Sequence, residues 1–401
     1  MMFHHYSTMR IIHTADWHLG QTFYGYERTA EHRVFLSWLR ELIKERGTDL
    51  LLLAGDIFDS PNPSAEAQRM LYDFLTKVAV ENPKLQVVMI AGNHDSAARL
   101  EAPDSLFRSF NIHVSGIVHY KDGEIDYERM IVPLDKGGCC LAVPFLRYNK
   151  CPSADSYGEG IATVYRELYS RAKECYSPII AMGHLQASGA EMSVGDSSEH
   201  AIIGGLEGID ASFADNGIAY TALGHLHKAQ RVARKENVRY SGAPLPMSFA
   251  ERRNRQSVTE IVLNNDDLSI EKIEFDTPVK LLSLPEQPMP IDEVIPMLAA
   301  LQDGTVNDRS PYLEIKVLVT SVDPTMRPRI EEALAGKSVR LARIEAVSPR
   351  VHGEKRVVTY EDFKQTQPDE LMKDIYRREC GEEMPANLSG LLNIVMEEIK
   401  E

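Results

Sequence analysis

The sequence predicts an α/β protein built on buried, mostly parallel strands, and three observations predict it. The first hundred residues read strand, helix, strand, helix, strand. The runs at 49–54 (Asp-Leu-Leu-Leu-Leu-Ala) and 86–91 are apolar without alternation, as in strands covered on both faces of their sheet. Each strand ends in metal-ligand side chains, the place where open α/β sheets gather their ligands.

Taken in order, residues 10–14 form a short strand with Asp16 and His18 just beyond it. A helix follows over 29–46, with Val34, Phe35, Trp38, Leu39, Leu42 and Ile43 on one stripe and Gly47 closing it. The strand at 49–54 delivers Gly55-Asp56. Ser64 caps a helix that runs to about residue 80, with Leu71, Phe74, Leu75 and Val78 inward. The strand at 86–91 delivers Asn93 and His94. Residues 155–175 read as a helix. The strand at 178–182 leads into His184, and the strand at 218–223 leads into His225 and His227. Between these two strands, 188–207 is polar and reads as a surface loop near the site, whereas 257–263 and 269–275 read as a closing hairpin.

The chain divides into four parts: a leader at 1–9, a main domain at 10–278, a small α/β unit at 279–348 and a helical tail at 349–401. Pro278, Pro285, Pro288 and Pro290 mark 276–290 as a linker. The small unit follows as helix 291–301, strand 312–320, helix 324–335 and strand 339–347. In the tail, Leu388, Leu391, Leu392, Val395 and Ile399 form one helical stripe, which either packs on its own domain or docks on a partner. Gly336-Lys337-Ser338 is not a phosphate-binding loop, because Glu331 stands where the first glycine is required.

Composition removes several classes. Hydrophobic residues make up 43% and charged residues 26% of the 401, an ordinary globular balance. No apolar run approaches the roughly 18 residues needed to span a bilayer, so no membrane association is expected. The first nine residues lack an apolar signal core, which predicts a cytoplasmic protein. Five cysteines without a Cys-x-x-Cys pair point to reduced thiols rather than disulfides or a cysteine zinc site. A net charge of −15 argues against holding nucleic acid by bulk electrostatics alone.

The chemistry lies in the strand-end residues. Two Asp, one Asn and five His suffice for two metal ions sharing a bridging carboxylate. Mixed carboxylate, amide and imidazole donors favour ions such as Mn2+. Asp16 and His18 are two apart, as are His225 and His227, so a bend turns each pair onto one ion. Asp56 is the natural bridge. Asn93 adds a neutral oxygen that keeps the site receptive to phosphate, and glycines before Asp56, Asn93, His184 and His225 suit close backbone approach. Singly, each residue has an ordinary role as turn, cap or loop histidine. Jointly and in this order they predict a two-metal phosphoesterase.

Asp-x-His, Gly-Asp, Gly-Asn-His-Asp, Gly-His and Gly-His-x-His, in this order, resemble the calcineurin-like metallophosphoesterase superfamily. Residues 13–21 (His-Thr-Ala-Asp-Trp-His-Leu-Gly-Gln), 54–59 (Ala-Gly-Asp-Ile-Phe-Asp), 222–230 (Ala-Leu-Gly-His-Leu-His-Lys-Ala-Gln) and 240–249 (Tyr-Ser-Gly-Ala-Pro-Leu-Pro-Met-Ser-Phe) resemble its bacterial DNA-repair nuclease branch. The specific motifs cover residues 10 to about 251; the tail is similar in architecture only.

The resemblance implies a core of packed mixed β-sheets flanked by helices, a small α/β capping domain that positions DNA, and a C-terminal helical tail for partner binding. It implies one ion held by Asp16, His18, Asp56 and His227 and another by Asp56, Asn93, His184 and His225, usually manganese. The ions activate water for in-line attack, and His94 is the catalytic residue that assists the leaving 3′ oxygen. Asp95 either orients that imidazole or serves in a turn. Asp59 stands where archaeal and eukaryotic relatives often carry a second active-site histidine. The implied activity is that of a 3′–5′ double-strand exonuclease and hairpin endonuclease in double-strand-break repair and recombination, at the nucleoid. The implied partners are an SbcC-type coiled-coil ATPase, double-stranded DNA ends or hairpins, and a second copy in a homodimer. Arg and Lys of the small unit (Lys316, Arg327, Arg329, Lys337, Arg340, Arg343) are candidates for phosphate contact or for a solvated face. The alternative is a phosphodiesterase or phosphatase of the same superfamily acting on a small nucleotide or phosphoprotein. Against a phosphatase, Ser60-Pro61 follows Asp59 where phosphatases carry a phosphate-gripping Arg.

Overall fold

The computed structural model describes residues 8–191 except 153 and 155, residues 209–210, residues 217–348 except 265–266 and 320–322, and 376–377, 384–385 and 388. The expectations for 1–7, for 192–208 and for the tail helices lie outside the described residues. Among the described residues no helix is long and apolar enough to cross a membrane.

The first half of the core runs β1 (Met9–Thr14), a hairpin of β2 (Thr22–Phe23) and β3 (Tyr26–Glu27), α1 (Thr29–Arg46), β4 (Leu50–Ala54), α2 (Ala65–Glu81), β5 (Gln86–Ile90), α3 (Ala97–Glu101), α4 (Asp104–Phe107) and β6 (Ile112–Ser115). After a second hairpin, β7 (Tyr120–Lys121) and β8 (Glu124–Ile125), come β9 (Ile131–Pro133), β10 (Cys139–Ala142), α5 (Tyr157–Ala172), β11 (Ile179–His184), β12 (Tyr220–Gly224), β13 (Gln230–Arg231) and β14 (Val238–Tyr240). The antiparallel pair β15 (Ser257–Asn264) and β16 (Asp267–Glu274) closes the core. The small unit consists of β17 (Leu281–Met289), α6 (Ile291–Ala299), β18 (Tyr312–Leu318), α7 (Met326–Ala333) and β19 (Arg340–Val347).

The core strands form two six-stranded sheets, ordered β16-β15-β1-β4-β5-β6 and β13-β14-β12-β11-β10-β9. The apolar runs are explained by what covers each face. In β4, Leu51 and Leu53 pack outward against α1 and α2 with Phe35, Leu39 and Phe74. Leu50, Leu52 and Ala54 of the same strand face the second sheet and meet Ile180, Met182 and Ala222. The second sheet has its own outer layer on α5, through Ile161, Val164 and Leu168. The architecture is therefore helix, sheet, sheet, helix, as expected for strands buried on both sides.

Local signals set the helix ends. Ser64 Oγ accepts the Ala67 N–H at 3.2 Å, a cap contributing about 1 kcal/mol. Gly47 closes α1 at φ 59°, in the left-handed region that a side chain disfavours. On α1, Val34 is 43% exposed, while Glu31 and His32 are buried instead. Their burial is compensated by Arg28 and by the Trp17 carbonyl, partners that periodicity does not reveal.

The segment at 276–290 is not a plain linker. It contains β17, which pairs parallel to β18 at the edge of the three-stranded β17-β18-β19 sheet, with a register shift between Leu284 and Met289. Pro285 and Pro288 fall at that irregularity on an edge strand, where a missing N–H is tolerated. Tyr312 of β18 packs with Phe23, Phe249 and Val279, which joins the small sheet to the core.

Candidate metal centre

Five parallel-running strands bring the site together. β1, β4 and β5 of the first sheet and β11 and β12 of the second all point their C-terminal ends at one place. Pairing continues past β1 and β4: the N–H groups of Asp16 and His18 donate to the carbonyls of Gly55 and Asp56, both at 3.0 Å. The turn after β1 therefore lies along the turn after β4. His184 is the last residue of β11 rather than a loop residue beyond it.

The backbone is strained where the ligand candidates sit. Asp16 (φ 55°), His18 (φ 46°), Asp56 (φ 47°) and His225 (φ 104°) occupy positive φ without being glycine. Such conformations cost of order 1 kcal/mol or more each and persist where surrounding structure holds them. Two glycines permit the approach. A Cβ on Gly92 would collide with the Asp56 carboxylate, and one on Gly224 would collide with the Ala54 carbonyl of the opposing sheet.

All seven expected ligands and His94 converge. Asp56 Oδ2 lies 3.2 Å from His184 Nε2 and 3.8 Å from His18 Nε2, between the two halves of the set. Asn93 Oδ1 lies 3.0 Å from His184 Nε2 and 3.1 Å from His225 Nδ1. Asp16 Oδ1 accepts the His225 N–H at 2.9 Å. Donor atoms of Asp16, His18 and His227 lie within 4.8 Å of one another, as do those of Asp16, Asp56 and His184. His94 is half-buried, its ring 4.8 Å from that of His18. Its backbone N–H donates to Asp56 Oδ1 at 2.8 Å.

The donor set fits divalent cations. His184 Nδ1 donates to the Ala54 carbonyl at 2.9 Å, which leaves Nε2 with a lone pair facing the oxygens of Asp56 and Asn93. Three acceptors meeting in the interior are reconciled only by a proton or a metal. Asp16 Oδ2 and both ring nitrogens of His18 are buried without a hydrogen-bond partner among the described residues. His18 Nδ1 does lie 3.2 Å from Asp59 Oδ1, but without hydrogen-bond geometry. Leaving such groups unmet costs about 1–3 kcal/mol each, and a cation removes that cost.

The electrostatics agree. Burial disfavours a charged His184, yet Asp56 and Asp16 outweigh it and push the imidazole up to about 9. Burial also works against an ionised Asp56, but His184, His18 and His94 hold it well below the usual carboxylate range. Burial raises Asp16 above the usual value, opposed by His184 and His227. His225 is pushed down to about 3 by burial and by His184. Asp56 and Asp16 thus favour positive charge at His184, whereas burial and His184 disfavour it at His225.

Two supporting carboxylates complete the site. Asp95 does not orient His94; it accepts the N–H groups of Ile57 (3.1 Å), Phe58 (2.9 Å) and Gly92 (2.9 Å), stitching the Asp56 turn to the Asn93 turn. Glu251 was not anticipated from the sequence. It is fully buried and its Oε1 lies 3.2 Å from His227 Nδ1. The only sequence signal is an acid just after the apolar 240–249 motif.

The candidate bases of the small unit are engaged. Arg327 pairs with Glu331, Arg329 with Asp292, Lys337 with Asp303, Arg343 with Glu345 and Lys316 with Glu314. Arg340 lies 3.9 Å over the Tyr312 ring.

A family profile described as calcineurin-like phosphoesterase matches residues 9–229. A second, described as type 5 capsule protein repressor C-terminal domain, matches residues 277–379. The D component of the nuclease SbcCD from Rhodobacter capsulatus is 36% identical over 384 residues, covering 90% of this chain and 93% of that protein. The protein of the same name from Escherichia coli K12 is 33% identical, over 66% of this chain and 68% of that one. The Bacillus subtilis counterpart is 34% identical over 63% and 65%.

Proposed function

Because the chain belongs to the calcineurin-like phosphoesterase family, within it to the SbcD nucleases, and is a metal-dependent phosphodiesterase, we propose that it cuts double-stranded DNA ends and hairpins with two Mn2+ ions. The observation that carries this is the position of Asp56 Oδ2 between His184 Nε2 and His18 Nε2. Asp16, His18, Asp56 and His227 would hold one ion, and Asp56, Asn93, His184 and His225 the other. When bound, the ions activate water as nucleophile and offset the charge that develops on the phosphodiester.

The chain's own residues do the rest. His94 donates Nδ1–H to the Asp59 carbonyl at 2.9 Å. In its imidazolium form the second proton then sits on Nε2, the nitrogen that protonates the leaving 3′ oxygen. Asn93 supplies oxygen without charge, so the site accepts an anionic substrate. Asp95 holds the two ligand turns in register, and Glu251 supports His227.

The net charge of −15 and the pairing of Arg327 with Glu331 and of Arg329 with Asp292 argue against holding DNA by charge alone. We assign that grip to an SbcC-type coiled-coil ATPase docked on the tail at 349–401, with the unit at 279–348 acting as a cap that positions the DNA, in the cytoplasm and with the chain as a homodimer. The deciding experiment offers the protein, with Mn2+, linear duplex, hairpin DNA, a cyclic nucleotide and a phosphopeptide, with and without the ATPase and ATP. Cleavage of duplex ends in 3′–5′ polarity and of hairpins is expected. Turnover confined to the small substrates would overturn the assignment in favour of a nucleotide phosphodiesterase or phosphatase.

A further inference from the structure

Behind His227 runs a polar path that is buried along its length and ends on the small sheet. Glu251 Oε1 lies 3.2 Å from His227 Nδ1, and Glu251 Oε2 accepts the Met247 N–H at 3.1 Å. The neighbouring Pro246 carbonyl accepts from Arg28 Nη1 at 2.7 Å. Arg28 is paired bidentately with Glu31, Nε to Oε1 at 3.1 Å and Nη2 to Oε2 at 2.9 Å. Tyr312 of β18 donates its hydroxyl to Glu31 Oε1 at 2.8 Å, and Arg340 stacks over the Tyr312 ring. Arg28, Glu31, Tyr312 and Glu251 are each no more than 2% exposed.

We propose that Glu251 positions the His227 imidazole and that the Arg28–Glu31–Tyr312 arm fixes the Glu251 loop to the small sheet, so that the seating of that sheet sets how tightly His227 holds a cation. The inference rests on the assignment of His227 as a ligand.

A ligating histidine is oriented by what its other nitrogen donates to, and a carboxylate there raises its basicity. With Nδ1–H on Glu251, Nε2 is the nitrogen left for a metal. A buried ion pair such as Arg28–Glu31 adds little net stability, because several kcal/mol of desolvation offset its attraction. What it does supply is fixed geometry: the Arg fork meets Glu31, the Pro246 carbonyl and Gln21 Oε1 at once. The loop at 246–251 is thus held at Pro246 by one end of the path and at Met247 by the other. A displacement of β18 that breaks the Tyr312 hydroxyl contact releases Glu31, then Arg28, then the loop carrying Glu251.

The test titrates Mn2+ by calorimetry into the metal-stripped full chain, with thermal unfolding followed in parallel. The parent binds two ions, and His227→Ala weakens one. If His227→Ala binds both as the parent does, the ligand assignment itself fails. With that assignment upheld, Glu251→Gln raises the Kd of that ion about tenfold. Tyr312→Phe, which removes one hydroxyl, raises it about threefold. The double variant binds no more weakly than Glu251→Gln alone, because the path is already cut. Parent-like Mn2+ affinity in Tyr312→Phe, whatever its melting point, overturns the link to the small sheet, and so do fully additive losses. Should Glu251→Gln not fold, Tyr312→Phe alone decides the point.

Discussion

His94 donates its Nδ1 proton to the backbone carbonyl of Asp59 at 2.9 Å, so the imidazole is aimed by main chain and not by a side-chain carboxylate. The consequence is unusual for a neighbouring acid. His94→Ala is expected to lower nuclease turnover by about 10²–10⁴ while leaving two Mn2+ bound. Asp59→Ala keeps the carbonyl, and its loss should be at least about tenfold smaller. Steady-state rates on hairpin DNA, read beside metal stoichiometry, check both; equal losses would mean that the Asp59 side chain does the aiming.

Asp95 holds three backbone donors from two turns, and nothing else among the described residues replaces it. Asp95→Ala orphans those N–H groups and should lower the unfolding free energy by about 3 kcal/mol or more. Asp95→Asn keeps one acceptor oxygen and should lose less. Denaturant unfolding of the metal-free protein measures this directly, and a change within about 0.5 kcal/mol would show that the turns are held by other contacts.

The cluster of candidate ligands was legible in the sequence because each member is announced locally, by residue type and by the apolar strand before it. What supports the set was not. Glu251 lies 24 residues beyond His227, and Tyr312 lies 281 residues beyond Glu31; only the folded chain brings them together. Val34 departs from the predicted inward face of α1, at 43% exposed, for a related reason. Helical periodicity marks apolar residues as inward, whereas the N-terminal turn of this helix faces polar partners, Arg28 and the Trp17 carbonyl. The prolines of 276–290 signalled a break in regular structure and concealed an edge strand, since an edge position does not need every N–H.

His13 and His32 give the protein a pH dependence separate from metal binding. Burial pushes each imidazole down to about 3 in the folded chain, from an ordinary value of 6.5. Above 6.5 both states leave them neutral. As pH falls below 6.5 the unfolded chain gains protons that the folded chain refuses, so stability is lost progressively down to about 3. The slope is about 1.4 kcal/mol per pH unit for each histidine. In chelator, His32→Gln should therefore unfold with a shallower pH dependence than the parent between 6.5 and 4. Parallel curves would show that His32 is protonated in the folded state.

The charge on the small unit leads to a prediction about DNA itself. Arg327, Arg329, Lys337, Arg343 and Lys316 each face an acid, and Arg340 is buried against Tyr312. A phosphate would have to displace those partners, and the net charge of −15 opposes approach most strongly at low salt. Affinity for duplex DNA measured across salt concentrations should therefore give a shallow slope for the chain alone, corresponding to about two released counterions or fewer. Adding the coiled-coil ATPase should steepen it, because the phosphate contacts then come from the partner. Arg327→Glu and Arg329→Glu should each change the affinity of the chain alone less than about twofold. A steep slope without the partner, lost in those variants, would place the DNA-holding surface on the small unit after all.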